Sequence, residues 1–243
     1  MGDRQPLVGR AVVFGAQGAI GGALADCLAE NPGIEIVYCG ARHEPRAGSK
    51  RLPFSFDLVD EPSIAAAAAQ IGADGPVDFV LVATGALHGD AMQPEKTWRH
   101  FSASQFERMF AINATGPALI ARHFLPLLSK ERRSIFAALS ARVGSIEDNR
   151  LGGWASYRAS KAALHQIIRT CAIELARRNP KALCVALHPG TVDSALSKPF
   201  QRSATHGVFS PEESARHLID VLERLASSDS GCAFAWDGAK IPF

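Results

Sequence analysis

Seven short apolar runs punctuate the chain: AVVF (11–14), IEIVYC (34–39), PFSF (53–56), VDFVLVA (77–83), SIFAAL (134–139), ALCVAL (182–187) and CAFAW (232–236). Most are continuous rather than alternating, which is the pattern of strands buried on both faces. Helical spacing fills the intervals. Ile20, Leu24 and Leu28 recur every four residues after the first run, and SIAAAAAQI (63–71) follows Asp60 and Pro62, a plausible helix start. Ser102 and Gln105 have the spacing of a capping box ahead of Phe106, Met109 and Phe110. Ser210, Pro211 and Glu213 form a second, with proline at the first helical position. Tyr157, Lys161, Leu164, Ile168 and Leu175 fall on one side of a further helix. The alternation predicts an α/β fold: a single doubly wound Rossmann-type domain over residues 1–243, with a seven-stranded, mainly parallel sheet flanked by helices on both faces. Such sheets bind ligands beyond the carboxyl ends of their strands.

Composition agrees with a buried core. Hydrophobic residues make up 47% of the 243 positions and charged ones 21%. The net charge of +2 gives no reason to expect nucleic acid or an anionic membrane as a partner. No apolar run reaches the roughly 20 residues of a spanning helix. The N-terminus carries Asp3 and no long apolar stretch, unlike a secretion signal. Five scattered cysteines form no CxxC, so neither a disulfide framework nor a metal site is expected, and a cytoplasmic setting fits.

The chemistry-bearing residues cluster after the predicted strands. GAQGAIG places Gly15, Gly18 and Gly21 between the first strand and a helix, where small residues let backbone approach a pyrophosphate. Glycine turns also serve tight strand–helix packing alone. After the second strand no acid stands ready for a ribose hydroxyl; Ala41 and Arg42 stand there instead. A guanidinium pairs with a 2′-phosphate, which favours NADP(H) over NAD(H), although a solvated surface arginine reads the same way. Tyr157 and Lys161 are four residues apart, so on a helix they are neighbours with Cβ atoms roughly 6 Å apart. A nearby ammonium favours phenolate and is expected to lower the phenol's pKa, making it a proton donor and acceptor nearer neutral pH.

In this order the motifs resemble the short-chain dehydrogenase/reductase family, closest to its C-factor (C-signal)-like and Sniffer-type carbonyl reductase branch. The resemblance runs from the first strand to the last. It implies Tyr157 as acid/base, Lys161 as the group that tunes it and holds the nicotinamide ribose, Ser140 in ALSAR as the orienting hydroxyl, and Asn113 in INATG as anchor of a proton-relay water. The cofactor would lie along Gly15, Gln17, Gly18, Ala19, Ile20 and Gly21, with Asp57 and Leu58 of FDLVD at the adenine. Ala83, Thr84 and Gly85 of VATG would follow, with Pro189, Gly190 and Val192 of HPGTVDS flanking the nicotinamide. Several positions depart from the family pattern. Ala19 replaces the middle glycine, Phe14 the common threonine, and Val82 and Thr84 the usual Asn and Ala. Ser140 lies further before Tyr157 than in most members, and the intervening VGSIEDNRLGG (143–153) is a candidate lid.

The expected activity is NADP(H)-dependent reduction of a small aldehyde or ketone, with no metal. Leu87, His88, Trp154, Thr191 and Ser194 are candidate pocket residues, and a loop over about 191–209 closes the site. Two long helices, in TGPALIARHFLPLLSK and ASKAALHQIIRTCAIELARR, resemble those that pair members of the family into homodimers or homotetramers. The alternative reading, also from the resemblance, is a nucleotide-binding signalling or interaction protein.

Overall fold

The computed structural model describes residues 4–43, 47–89, 92–203 and 207–243. Strands β1 (Gly9–Phe14), β2 (Ile34–Ala41), β3 (Arg51–Ser55), β4 (Phe79–Val82), β5 (Ser134–Leu139), β6 (Ala182–His188), β7 (Ala233–Ala235) and β8 (Lys240–Ile241) form one sheet in the order β3-β2-β1-β4-β5-β6-β7-β8. All neighbours pair in parallel except β7 and β8. The expected count of seven is therefore corrected to eight among the described residues. The added strand is two residues long and antiparallel, too short to leave an apolar run.

Helices α1 (Ala19–Glu30), α2 (Glu61–Ala73), α3 (Ala103–Phe110), α4 (Gly116–Phe124), α5 (Ala155–Ala176) and α6 (Pro211–Arg224) connect the strands. Alternate residues of β1 serve the two faces. Val12 and Phe14 pack with Ile64 of α2, Ile120 of α4 and Leu164 of α5. Ala11 and Val13 pack with Leu24 of α1 and Leu218 of α6. Phe14, the departure from threonine, sits at the centre of an aromatic knot. Its ring meets Phe54, Phe56 and Phe124 edge to face at 5.4, 4.9 and 4.9 Å between centroids. Edge-to-face pairs of this kind add about 0.5–1.5 kcal/mol each beyond area burial.

Of the two capping boxes, one forms. Ser210 Oγ accepts from Glu213 N–H at 3.1 Å and Glu213 Oε2 accepts from Ser210 N–H at 2.8 Å. Ser102 makes no cap; its hydroxyl pairs with Ser104, and Gln105 instead donates to the Gln93 carbonyl and the Ser156 hydroxyl. Tertiary partners won over the local motif. The strand order reverses between β1 and β4, which opens a crevice at their carboxyl ends.

Candidate active site

The glycine loop leaves β1 with Gly15 at φ +85°, a conformation that a side chain disfavours. A Cβ on Gly21 would stand 2.2 Å from the Gly15 carbonyl oxygen. Gly21 thus lies under the loop and lets α1 approach it closely. Gly18 precedes α1 with no side-chain cap, so the first-turn N–H groups of that helix face the crevice without a side-chain acceptor.

Three adjoining cavities extend along the strand ends. The first, about 630 Å³, is lined by Gly15, Gln17 and Gly18, by Arg42, Asp57 and Leu58, and by Ala83, Thr84 and Gly85. Arg42 is exposed and makes no ion pair among the described residues. Asp57 accepts Val59 N–H at 3.1 Å on Oδ1, and Leu58 packs over Gly116. The second cavity, about 280 Å³, shares Gly18 and residues 83–85 with the first and adds Ala19, Ile20, Tyr157, Lys161 and Pro189. The third, about 530 Å³, shares Ser140 and Tyr157 with the second. Gly190 and Val192 line it, as do Leu87, Trp154, Thr191 and Ser194.

His88 does not line that cavity. Its Nε2 lies 3.1 Å from the carbonyls of both Ala195 and Leu196, so it ties the turn after β4 to the loop after β6. That loop is also stapled at its ends, where Val192 bridges to Phe209. Residues 204–206 of the expected 191–209 loop lie outside those described. Val143, in the candidate lid 143–153, and Leu196 and Phe200, in the 191–209 loop, also form the cavity wall, although no one of them was singled out by itself. Phe200 meets the Trp154 ring at 4.9 Å, and Trp154 meets Tyr157 at 6.3 Å. Loop positions carry no periodicity, so nothing in the sequence singled them out.

Tyr157 and Lys161 both lie in the first half of α5 and are buried at 7% and 3% exposure. Glu95, itself buried, holds the start of this helix. Its carboxylate accepts the Ser156 N–H at 3.2 Å, and its carbonyl accepts Trp154 N–H at 2.6 Å. Trp154 takes a left-handed conformation (φ +52°) to enter the helix. The Lys161 ammonium donates to the Leu139 carbonyl at 2.9 Å and lies 5.9 Å from the centre of the Tyr157 ring. The Tyr157 side chain lines the second and third cavities, and its hydroxyl has no hydrogen bond to the described residues. The chain's other tyrosine differs: Tyr38 donates to Asp74 at 2.7 Å and accepts from Arg10, a structural network away from the crevice.

The expected fall in the Tyr157 pKa is not found. Burial pushes the phenol well above its ordinary value, and burial lowers Lys161 to about 8. Desolvation acts against the charged form of each group. The phenol is therefore protonated at neutral pH, the form required of an acid.

Asn113 sits in a π-helical turn (Ala111–Thr115) between α3 and α4. Its side chain clamps Ala86, accepting from its N–H and donating to its carbonyl, both at 2.9 Å, and it reaches Ser160 Oγ at 3.2 Å. Asn113 and Lys161 converge below Gly85, where a Cβ would stand 3.5 and 3.8 Å from Oδ1 and Nζ. Both ends of the amide are thus engaged with protein. Ser140 is buried at the end of β5, and its Oγ lies 2.8 Å from His165 Nε2. His165 was missed, though it follows Lys161 by four and Tyr157 by eight on one helix face.

The crevice fits a nicotinamide dinucleotide. It is cradled by backbone at Gly15, where a Cβ would crowd Ala83 and Thr84, and the buried Thr84 hydroxyl beside it has no partner among the described residues.

Comparison with known proteins agrees with this geometry. The family model described as short chain dehydrogenase matches residues 10–204. The chain belongs to the short-chain dehydrogenase family and is an oxidoreductase of that type. It is 32% identical over 136 residues to the C-signal of Myxococcus xanthus, covering 56% of this chain and 77% of that protein. It is similar in fold to an NADPH-bound carbonyl reductase from chicken fatty liver, with a TM-score of 0.86, 23% identity, and coverage of 99% of this chain and 96% of that one. The carbonyl reductase Sniffer of D. melanogaster has a TM-score of 0.83 at 18% identity, with coverage of 98% and 100%. No helix among the described residues is long and apolar enough to cross a membrane.

Proposed function

We propose that residues 1–243 form one catalytic domain that reduces a small aldehyde or ketone to an alcohol with NADPH. The observation that carries the reading is the Tyr157 hydroxyl. Burial keeps it protonated at neutral pH, it has no hydrogen bond to the described residues, and it is placed between the crevice and an apolar cavity beside Ser140. The dinucleotide supplies the hydride when bound. Residues 15 and 17–20 would hold its phosphates, and Asp57 and Leu58 its adenine side. Arg42, with no carboxylate partner among the described residues, would take the 2′-phosphate. Ala83, Thr84, Gly85, Pro189, Gly190 and Val192 would line the nicotinamide half.

Substrate then enters the third cavity against Leu87, Trp154, Leu196 and Phe200, which exclude water. The Ser140 hydroxyl orients the carbonyl oxygen and stabilises its growing charge. Tyr157 donates its proton to that oxygen. Lys161, held on the Leu139 carbonyl, stabilises the phenolate left behind and binds the ribose; Asn113 fixes the turn at Ala86 above it.

The assay is NADPH oxidation over a panel of aldehydes, ketones and diketones, with Tyr157→Phe alongside. Turnover lost in the variant supports the reading; turnover retained overturns Tyr157 as the acid. Tighter binding of NADH than NADPH, with no loss on Arg42→Ala, overturns the NADP(H) assignment. The likeness to C-signal favours one other reading, a nucleotide-bound signalling protein. Tight NADPH binding with no carbonyl turned over would support it. The same proposal places the protein in the cytoplasm as a homodimer or homotetramer paired through α4 and α5, and light scattering showing only monomer would remove the pairing.

A further inference from the structure

We propose that His165 is a positioning residue for Ser140: its Nε2–H donates to the serine oxygen and so leaves the serine proton free for the substrate carbonyl. The inference rests on the reductase reading above and names a residue outside the roles given there.

The geometry is specific. Ser140 Oγ and His165 Nε2 are 2.8 Å apart, and both side chains are buried. A neutral imidazole has one proton and two places to put it. Burial, aided by the Lys161 ammonium, drops the His165 pKa to about 4, so the ring is neutral at pH 7. Its other nitrogen, Nδ1, is buried with no partner among the described residues. A proton on Nδ1 would be an orphaned buried donor, the rarer and costlier defect in folded proteins. A proton on Nε2 makes a good bond to Ser140 and leaves only an unused lone pair at Nδ1.

The choice has a chemical consequence. A serine hydroxyl carries one proton and two lone pairs. Were Nε2 the acceptor, that proton would be committed to the ring, and Ser140 would present lone pairs to a carbonyl oxygen. With Nε2 as donor, one lone pair is used and the O–H turns toward the cavities that Ser140 lines. The serine is then prepared as a donor before substrate arrives, which is the preorganisation that stabilises developing charge.

Two measurements test this. Long-range proton–nitrogen NMR on the nitrogen-15-labelled full chain at pH 7 should show His165 protonated on Nε2 and bare on Nδ1. The opposite tautomer overturns the proposal, whether or not any substrate turns over. Steady-state kinetics follow on a carbonyl that the wild type reduces. His165→Leu should lower kcat about tenfold, the worth of one ordinary hydrogen bond, with the KM for NADPH unchanged. His165→Gln, which keeps an N–H donor at a similar reach, should recover most of the loss. In a Ser140→Ala background His165→Leu should cost nothing further. An undiminished kcat in His165→Leu, or a loss that persists without Ser140, refutes it. Absence of turnover in the wild type counts against the reductase reading, and the NMR result still decides the tautomer.

Discussion

Replacing His165 by Gln isolates one buried titration from all the others. In the folded protein the ring stays neutral down to about pH 4, because burial and then the Lys161 charge oppose its protonation. In the unfolded chain it titrates near its ordinary value of about 6.5. The folded pKa is the lower one, so the unfolded state binds more protons between these values and stability falls as the pH falls. The loss is absent above about pH 7 and complete only below about pH 4. Between pH 7 and pH 5, linkage over these two pKa values gives about 2 kcal/mol for this single side chain. The assay is urea unfolding of wild type and His165→Gln at both pH values. With a urea slope of about 3 kcal/mol/M for a chain of this size, the wild-type midpoint should drop roughly 0.6 M further than that of the variant. Every other group, including His188, whose pKa burial likewise lowers to about 4, acts equally in both proteins and cancels. Parallel acid losses in the two proteins would show that His165 is not buried neutral and would refute the reasoning.

Phe14→Ala should lower stability by about 3–5 kcal/mol, read by denaturant unfolding, because it empties a site shared by three edge-to-face rings. Gly21→Ala should weaken NADPH binding, read by fluorescence titration, because its methyl cannot coexist with the Gly15 carbonyl unless the loop shifts. Glu95→Ala should cost about 1–2 kcal/mol in thermal or urea unfolding, since it strips the acceptor from the start of α5, and it should reduce kcat more than cofactor affinity.

Much of the scaffold is readable from pattern. Apolar runs announce β1 to β7, and most are continuous because strands covered on both faces have no polar side; the edge strand β3 is an exception, with Leu52 and Ser55 exposed. Strand β8 could not be read: Lys240 and Ile241 are too few to form a pattern, and only pairing with β7 makes them a strand. The Ser102–Gln105 spacing was misleading because Gln105 finds Gln93 and Ser156, partners distant in sequence. At the site, Tyr157 and Lys161 are legible through helix periodicity, which fixes their neighbourhood before any tertiary contact exists. The direction of the Tyr157 shift is not, because it depends on how much water the finished cavities exclude. His165 lay on the same helical stripe and went unread, since a single histidine on an apolar face has the same signature as a packed one. Trp154 meets Phe200 only through loop conformations that no local rule encodes.

The π-helical turn at Ala111–Thr115 sets how the region tolerates change in length. Such a turn holds one residue more than regular helix, and each residue advances an α-helix by about 100°. Shortening residues 111–115 by one would let α3 run straight into α4. Asn113 would then swing away from Ala86. Over these five positions a deletion is more damaging than many substitutions, so descendants of this chain should drift in side chains there while preserving their number.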